Sequence, residues 1–291
     1  MIRFSSETYM EPQLERLKEV QKEAWNKSAA GWKKWDGLMM EFLEPMSKAM
    51  TRMLALRDDD TVLDVATGTG EPGLTIASML KKGKVTGIDL SENMLAVAEE
   101  NALKRGIHNF ETSCCDVSAL PFADNTFSAI TCRLGFMLFP DMHIALGEMV
   151  RVLKPGGRIV ASVWNGPEKN PWISASMQIM IAMLQLKPPA EGAPGIYRCC
   201  KPGLMADLFK HAGLKDIQQD ETPGKIQFQN TAAYWSFITE AASPVAYFKA
   251  DEGLQQQIKQ AVFDKVIRKG IDSISLDSSA IIISGTKKST V

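Results

Sequence analysis

The sequence lacks the features that identify several large classes of protein. No run of ~18 uninterrupted apolar residues occurs, so no membrane-spanning helix is predicted. The charges nearly cancel, at −1 overall for 291 residues, and no basic stretch is present to follow a phosphate backbone, which argues against a nucleic-acid partner. The five cysteines are odd in number and have no C-x-x-C spacing, which fits neither a disulfide framework nor a zinc site. We therefore predict no metal centre.

The first residues lack a further feature, the apolar core of a signal peptide. Met1–Glu7 contains no continuous apolar core, and we expect a cytoplasmic protein without membrane insertion. Hydrophobic residues make up 45% of the sequence and charged residues 23%, which is ordinary for a globular protein. The chain is long enough for one large α/β domain or two smaller ones.

The most informative stretch is the segment from Thr61 to Gly73. It predicts a short apolar strand, a glycine-rich turn and a helix that begins near Pro72, where proline suits the first turn. Gly68 and Gly70 permit a positive φ and a close approach of a ligand to the backbone. Asp64 interrupts the apolar strand, and a buried carboxylate without a partner costs several kcal/mol. The expected partner is a cation on a ligand or a set of backbone donors.

The turn also matches the G-x-G-x-x-G fingerprint of dinucleotide-binding proteins, through Gly68, Gly70 and Gly73. A pyrophosphate binds at a helix N-terminus because free N–H groups and the positive end of the dipole point there. Asp64 and Glu71 place two carboxylates around that position, and they would repel a pyrophosphate. They favour a cationic ligand such as S-adenosylmethionine, which carries a sulfonium and an ammonium.

The pattern Asp64-x-Ala66-x-Gly68-x-Gly70 resembles the first motif of class I S-adenosylmethionine-dependent methyltransferases. Within them it is most similar to the branch (methyltransferase type 11) that includes the ubiquinone/menaquinone C-methyltransferases. The resemblance implies that S-adenosyl-L-methionine is the cofactor. It also implies that Ala66, Thr67, Gly68 and Gly70 contact the cofactor together with Asp64.

Strand and helix patterns alternate after Thr61, which predicts a doubly wound, mostly parallel sheet of the α/β class. With the resemblance, we predict a Rossmann-like sheet of seven strands with N-terminal helices and a helical insertion or lid after strand 5. The predicted strands are 62–66, 84–90, 109–116, 126–132, 158–164, strand-like pieces in 217–228, and 274–286. The predicted helices are 11–35, 45–55, 74–81, 94–103 with Ser91 as its cap, 142–153, 171–186, 201–213 and most of 232–269. Lys154–Gly157 is predicted to be a tight turn.

We predict one structural domain with four parts. They are an N-terminal helical cap (1–56), a cofactor-binding core (57–165), a helical insertion with its loop (166–200), and a C-terminal part of the sheet with substrate-covering helices (201–291).

Acidic residues end the second and third predicted strands. In the family that the motif resembles, Asp89 would accept both ribose hydroxyls, and Leu90 and Met94 would flank the adenine. Asp116 would accept from the adenine amino group, with the N–H of Val117 nearby. Asp89 could instead be a favourable acid at a helix N-terminus, and Asp116 could cap the turn before Pro121.

Two further side chains are candidates for the reacting end of the ligand. Arg133 follows the fourth strand, where it could pair with the carboxylate of the cofactor or with substrate, although a surface arginine is an alternative. The segment from Cys132 to Leu138 does not reproduce the Phe-Gly-Leu-Arg-Asn-like spacing of the ubiquinone-type enzymes. His143 is a weak candidate for a catalytic base, and a solvent-exposed histidine at a helix start is the alternative.

The acceptor pocket is expected between the N-terminal helix and the segments after residue 165. Flexible methionines and aromatic rings suit an apolar ligand, although ordinary core packing explains them too. Loop 187–200 could be a lid. The candidates are Met137, Phe139, Trp164, Trp172, Met177, Met180 and Trp235.

The sequence therefore predicts a methyltransferase that acts on a small, apolar or aromatic acceptor. A quinone-pathway C-methyltransferase is the first alternative. A nicotinamide-dependent oxidoreductase and a non-catalytic cofactor-binding protein are alternatives from other classes. The predicted partner is the small-molecule acceptor, and a homodimer is left open.

Overall fold

The computed structural model describes residues 11–187, 190–241, 245–266 and 273–289. The strands are β1 (Thr61–Val65), β2 (Lys84–Asp89), β3 (Phe110–Cys114), β4 (Phe127–Arg133), β5 (Leu153–Trp164), β6 (Lys215–Phe228) and β7 (Ile274–Thr286). The helices are α1 (Glu11–Lys34), α2 (Asp36–Leu54), α3 (Gly73–Met79), α4 (Glu92–Lys104), α5 (Met142–Val152), α6 (Pro171–Met183), α7 (Leu204–His211), α8 (Thr231–Ala241), α9 (Val245–Phe248) and α10 (Glu252–Val266).

The strands form a seven-stranded sheet in the order β3-β2-β1-β4-β5-β7-β6. Strands β1 to β5 are parallel, and β7 runs antiparallel to both β5 and β6. The apolar residues of the central strands, such as Leu63 and Ile130, are fully buried, as expected of a parallel sheet covered on both faces. The predicted doubly wound, mostly parallel sheet of the α/β class is confirmed.

The strand order reverses between β1 and β4. The chain runs outward from β1 through β2 to β3, then returns to β4 on the other side of β1 and continues to β5. Ligands of such sheets bind beyond the carboxyl ends of the strands at this reversal. The loops that follow β1, β2 and β4 therefore lie where a ligand is expected.

Helix α2 begins earlier than the sequence predicted. The prediction placed its start at Pro45, but the helix starts at Asp36 and contains Pro45 in its interior. An interior proline costs about 3 kcal/mol. Burial of Phe42 and Leu43 stabilises by about 1.5–3 kcal/mol for each side chain, so the apolar face outweighs the proline.

Two other boundaries differ from the prediction. Lys154–Gly157 is not a separate turn, because β5 already begins at Leu153 and the N–H of Gly156 donates to the carbonyl of Lys287 at 2.9 Å. The strand-like pieces near the C-terminus form one strand, β6, with a register shift after Lys215. The predicted last strand is confirmed as β7.

Some predictions fall partly outside the described residues. Residues 1–10 of the predicted cap, 188–189 of the loop, and 242–244 and 267–269 of the predicted helical region lie there. The division into four parts stays a prediction. Within the described residues, no helix is both long and apolar enough to pass through a membrane.

Gly31 allows α1 to approach α8 closely. A Cβ on Gly31 would overlap the backbone carbonyl oxygen of Glu240, near the end of α8. Trp35 reinforces this contact, because its indole N–H donates to Glu240 Oε2 at 2.8 Å and its ring meets Phe237 edge-on with centroids 5.7 Å apart.

We expect Gly31→Ala to lower the free energy of unfolding by about 1–3 kcal/mol, because the two helices must move apart. Gly37→Ala is the matched control: Gly37 is exposed in α2 and nothing lies within 4 Å of an added Cβ. It should be neutral or stabilising by less than ~1 kcal/mol. Urea unfolding of both variants measures the difference, and equal stabilities would contradict the close approach.

Candidate functional site

The loop after β1 forms the floor of the candidate site. Ala66, Gly68 and Gly70 have φ values of 54°, 55° and 106°, so the backbone turns through the left-handed region at alternate residues. The turn is held by the N–H of Thr67, which donates to the carbonyl of Ile88 on β2 at 2.9 Å.

The two glycines of the turn have different surroundings. A Cβ on Gly68 would meet no atom within 4 Å, so this backbone faces open space. A Cβ on Gly70 would collide with Leu74 and approach Ala98. Gly68 is therefore the residue that leaves room for a ligand, whereas Gly70 permits the turn to pack against the helices.

Asp64 is fully buried below the turn. Its Oδ2 accepts hydrogen bonds from Thr67 Oγ1 at 2.6 Å and from the N–H of Gly73 at 3.0 Å. Its Oδ1 has no hydrogen-bond partner among the described residues. Burial raises the pKa of Asp64 to about 7, against the opposing hydrogen bond from Thr67 and the charge of Arg133. One buried carboxylate oxygen is thus left for a donor.

Glu71 lies beside the turn, and a neighbouring cation partly compensates its charge. Its carboxylate is buried and forms an ion pair with the guanidinium of Arg105, just after α4. The ion pair weakens the predicted repulsion of a pyrophosphate by Glu71, because Arg105 compensates part of its charge. No motif connects these two residues, which are 34 positions apart.

Asp89 ends β2 beside the glycine turn. Its Oδ2 accepts from the N–H of Gly68 at 3.0 Å and its Oδ1 from the N–H of Ser91 at 2.9 Å. Burial raises the pKa of Asp89, while these backbone hydrogen bonds oppose the change. Each carboxylate oxygen retains acceptor capacity for a further donor.

The two residues that we predicted to flank the adenine, Leu90 and Met94, follow Asp89 in the sequence. Leu90 is half-buried. Met94 is buried, and its N–H donates at 3.1 Å to the hydroxyl of Ser91, which caps α4 as predicted.

Asp116 caps a turn, which is the alternative role that the sequence suggested for this residue. Its carboxylate accepts from the N–H and the hydroxyl of Ser118 at 2.8 and 2.6 Å. Lys18 of α1 pairs with it at 2.7 Å. Burial raises the pKa of Asp116, but the hydrogen bonds from Lys18 and Ser118 outweigh burial and lower it overall. Val117 is half-buried beside it, and their contact with adenine stays a prediction.

Arg133 lies at the carboxyl end of β4, half-buried rather than on the surface. One guanidinium N–H donates to Ser47 Oγ of α2 at 3.0 Å. Burial lowers the pKa of Arg133, whereas the nearby carboxylates of Glu71, Asp64 and Asp36 favour its charged form. The structure thus places this cation near Asp64, at the reversal of the strand order.

Helix α1 crosses the carboxyl ends of three strands. Beyond the ion pair of Lys18 with Asp116, Gln21 donates to the carbonyl of Leu138 at 2.6 Å, in the loop after β4. Asn26 accepts from the hydroxyl of Ser91 at 2.6 Å, at the start of α4. The helix therefore lies across the loops that follow β2, β3 and β4, and its role as a cap over the cofactor stays a prediction.

The comparison with known families fits this geometry. The model of a family described as a methyltransferase domain matches residues 56–229, which is more than half of the 291 residues. The chain belongs to this family. The family predicted from the pattern around Asp64 is confirmed, and the matched region contains the glycine turn and all three acids at the strand ends.

Curated relatives carry related names. A ubiquinone/menaquinone biosynthesis C-methyltransferase from Desulfotalea psychrophila is 36% identical over 167 residues, which are 54% of this chain and 66% of that protein. A demethylmenaquinone methyltransferase from Thermus thermophilus is 42% identical over 108 residues, which are 37% of this chain and 49% of that protein. The chain thus spans from about half to just under two thirds of these relatives' lengths.

Solved structures share the fold at lower identity. The YcgJ protein from Bacillus subtilis is 21% identical with a TM-score of 0.56, covering 84% of this chain and 98% of that one. The [4+2]-cyclase SpnF is 22% identical with a TM-score of 0.54, covering 84% and 80%. These similarities support the methyltransferase-like fold.

The predicted acceptor-pocket residues belong to the hydrophobic core of this methyltransferase fold or pack against it. All are buried except Met177, which is half-buried. Trp164 stacks on Phe42 of α2 with centroids 5.8 Å apart, and Trp172 contacts Trp164 at 5.2 Å. The prediction did not include Phe42, because its place in this cluster depends on how α2 packs. The acceptor role of these residues stays a prediction.

The loop after α6 is tied to the loop after β4. The N–H of Gly195 donates to the carbonyl of Met137 at 2.9 Å, and the guanidinium of Arg198 donates to the carbonyls of Phe139 and Pro140. This part of the predicted lid contacts the segment that follows Arg133. Whether it moves stays a prediction.

His143 lies at the start of α5 and is exposed. Its backbone N–H donates to Asp141 Oδ1 at 2.7 Å, and Asp141 is the N-cap of the helix. This placement matches the alternative of an exposed histidine at a helix start. It gives no support to a role of His143 as a catalytic base, and that role stays a prediction.

The pKa of Asp64 generates a test of its buried state. Because the folded-state pKa lies above the ordinary value of 3.8, the folded protein binds this proton more tightly. The resulting stabilisation is present below ~pH 4 and is lost as the pH rises through about 7. Asparagine cannot lose this proton, so only wild type loses the stabilisation. The unfolding free energy of Asp64→Asn minus that of wild type should therefore be larger at about pH 8 than at about pH 5, by on the order of 2 kcal/mol.

Urea unfolding of wild type and variant at both pH values measures this gain. Asp59→Asn is the control, since Asp59 is an exposed aspartate whose loss should change little between the two conditions. A gain at Asp64→Asn no larger than the control's would show that the carboxyl is not desolvated as described.

Proposed function

We propose that this chain is an S-adenosylmethionine-dependent methyltransferase that transfers a methyl group to a small, apolar or aromatic acceptor. The observation that carries the proposal is the unsatisfied Oδ1 of Asp64, buried beside the glycine turn. A buried acceptor without a donor costs about 1–3 kcal/mol, and an ammonium would supply the donor with a compensating charge. Membership of the methyltransferase domain family supports the same conclusion.

The nucleoside end of the cofactor would lie over Gly68. The open space above this glycine lets a ribose approach the backbone, and Asp89 is held beside it by the N–H of Gly68. A carboxylate in this position can accept both ribose hydroxyls. Leu90 and Met94 would flank the adenine, and Asp116 with Val117 would lie at its edge.

The amino-acid end would lie between β1 and β4. Asp64 offers its free Oδ1 to the ammonium, and Arg133 offers its guanidinium to the carboxylate. A guanidinium binds a carboxylate with strong, charge-assisted hydrogen bonds. The two protein groups have opposite charges and attract each other, so a zwitterion bound between them would meet a complementary group at each end.

The cofactor, when bound, would supply an activated methyl group on a sulfonium, and the protein would position the acceptor in line with it. Alignment of two bound reactants contributes up to about 7–11 kcal/mol. A base is required only where the acceptor must lose a proton. We assign no base, because His143 is exposed to solvent.

The quinone-pathway C-methyltransferases remain the first alternative. Their names recur among relatives that are 36% and 42% identical, and an apolar aromatic quinone fits the chemistry of the predicted pocket. The segment after Cys132 lacks the spacing that the resemblance led us to look for. We therefore propose the broader acceptor class and treat a quinone precursor as one member of the test panel.

Two other functional classes must be distinguished from a methyltransferase by experiment. An oxidoreductase would use the same sheet with a nicotinamide cofactor, and the ion pair of Glu71 with Arg105 removes part of the charge argument against it. A protein that binds the cofactor without methyl transfer is the second case. The neighbour named as a [4+2]-cyclase illustrates that this fold occurs in proteins named for other reactions.

Calorimetric titration of the purified chain with S-adenosylmethionine, S-adenosylhomocysteine and NADH separates the cofactor classes. We expect both sulfur nucleosides to bind and NADH not to bind. Asp89→Asn should weaken both sulfur nucleosides by roughly tenfold or more, because an amide accepts ribose hydroxyls less strongly than a carboxylate does. Asp59→Asn should bind as wild type does. Tight binding of NADH without binding of either sulfur nucleoside would overturn the proposal.

Turnover is then measured with radiolabelled S-adenosylmethionine and a panel of acceptors. The panel contains demethylated quinones, phenols and aromatic amines, together with any ligand that co-purifies and is identified by mass spectrometry. Label should appear in at least one apolar acceptor. Cofactor binding without transfer to any acceptor of the panel would favour the non-catalytic class.

A further inference from the structure

Thr131 of β4 is the register partner of Asp64 in the parallel pairing of β1 with β4. Both residues are fully buried. The hydroxyl of Thr131 and Oδ1 of Asp64 are both buried polar atoms without a hydrogen-bond partner among the described residues. Buried polar groups are nearly always satisfied, so two unsatisfied oxygens on paired residues need a common explanation.

Register partners in a sheet direct their side chains to the same face, and neighbouring strands lie about 4.7–4.9 Å apart. The two oxygens therefore project from adjacent strands on one side of the sheet. The structure gives no hydrogen bond between them, although a threonine hydroxyl can donate to a carboxylate. A shared donor from outside the pair would satisfy both.

The charges around Asp64 and Thr131 indicate what kind of donor would bind both oxygens. Asp64 has no ion-pair partner within hydrogen-bonding distance among the described residues, although Arg133 exerts an attraction on it. Arg133 follows Thr131 by two positions on β4, so both side chains point to the same face of the sheet. A group with at least two N–H donors and a positive charge, next to a carboxylate, matches this arrangement.

We propose that Thr131 is a positioning residue, whose hydroxyl and Asp64 Oδ1 together hold the amino group at the methionine end of the cofactor. This inference rests on the proposed function. Thr131 accepts one N–H of the ammonium and Asp64 a second, while Arg133 takes the carboxylate. Thr131 contributes by selecting ligands that carry the α-amino-acid group and by aligning their sulfur.

The test compares two ligands that share a nucleoside. S-adenosylhomocysteine has the amino-acid group, and 5′-methylthioadenosine lacks it. Thr131→Val removes the hydroxyl and keeps the shape. It should weaken binding of S-adenosylhomocysteine by roughly tenfold or more, the effect of losing one hydrogen bond to a charged group, and leave 5′-methylthioadenosine unchanged. Thr131→Ser keeps the hydroxyl and should retain wild-type selectivity.

Ser128→Ala is the matched control on the same strand. The hydroxyl of Ser128 bonds to the backbone of Thr61, at the opposite end of β1. Its loss should lower stability without changing either affinity. Thermal unfolding of each variant checks that it is folded, and Thr131→Cys replaces the valine variant if the latter does not fold.

The outcomes separate this inference from the proposed function. If wild type binds neither ligand, the proposed function fails and the role of Thr131 falls with it. If wild type prefers S-adenosylhomocysteine but Thr131→Val keeps that preference, the proposed function stands and the inference is overturned. Equal weakening of both ligands also overturns it, because the effect would then not depend on the amino-acid group. A loss of stability without any change in binding overturns it as well, because a buried water that bridges Thr131 and Asp64 would produce that result.

Discussion

The carboxylate of Asp64 connects the strand, the turn and the helix on which the candidate site depends. One of its oxygens binds the hydroxyl of Thr67 and the N–H of Gly73, so the conformation of the turn depends on a side chain buried beneath it. Its other oxygen is unsatisfied. The same desolvation that makes this group costly to bury raises its pKa and strengthens its attraction for a cation, since electrostatic interactions are stronger away from water. Folding stability and the proposed binding of the cofactor are therefore linked through one residue.

The acids around the cleft divide into two kinds. Glu71 and Asp116 are paired with the side chains of Arg105 and Lys18, and their charges mainly hold helices α4 and α1 in place. Asp64 and Asp89 accept instead from the backbone of the turn and its neighbours. Backbone amides orient a carboxylate without neutralising its full charge, so these two acids keep the capacity to bind a ligand. The ion-pairing pattern thus distinguishes acids whose charge is compensated by a side chain, including Asp116 at the proposed adenine edge, from the two whose charge is not compensated in this way.

The helices outside the core bring distant parts of the chain to the site. Helix α1 contacts the loops after three strands, while α2 supplies Ser47 to Arg133 and Phe42 to the tryptophans. The loop near Gly195 binds the segment after β4. These contacts bring apolar rings to the carboxyl end of β5, next to the strand at whose end we propose the reacting end of the cofactor. That arrangement suits a methyl transfer in which alignment of the reactants matters more than acid–base chemistry.

Local patterns in the sequence were sufficient for the α/β class, the five parallel strands, the cap at Ser91 and the position of the glycine turn. Each of these depends on near neighbours: apolar runs form buried strands, glycines permit positive φ, and a serine before a helix accepts its free N–H. The start of α2, the pairing of Glu71 with Arg105, the pairing of Asp116 with Lys18 and the burial of Thr131 beside Asp64 were decided by the tertiary structure. They depend on which side chains meet across dozens of residues, and the packing that brings them together leaves no short-range periodicity in the sequence.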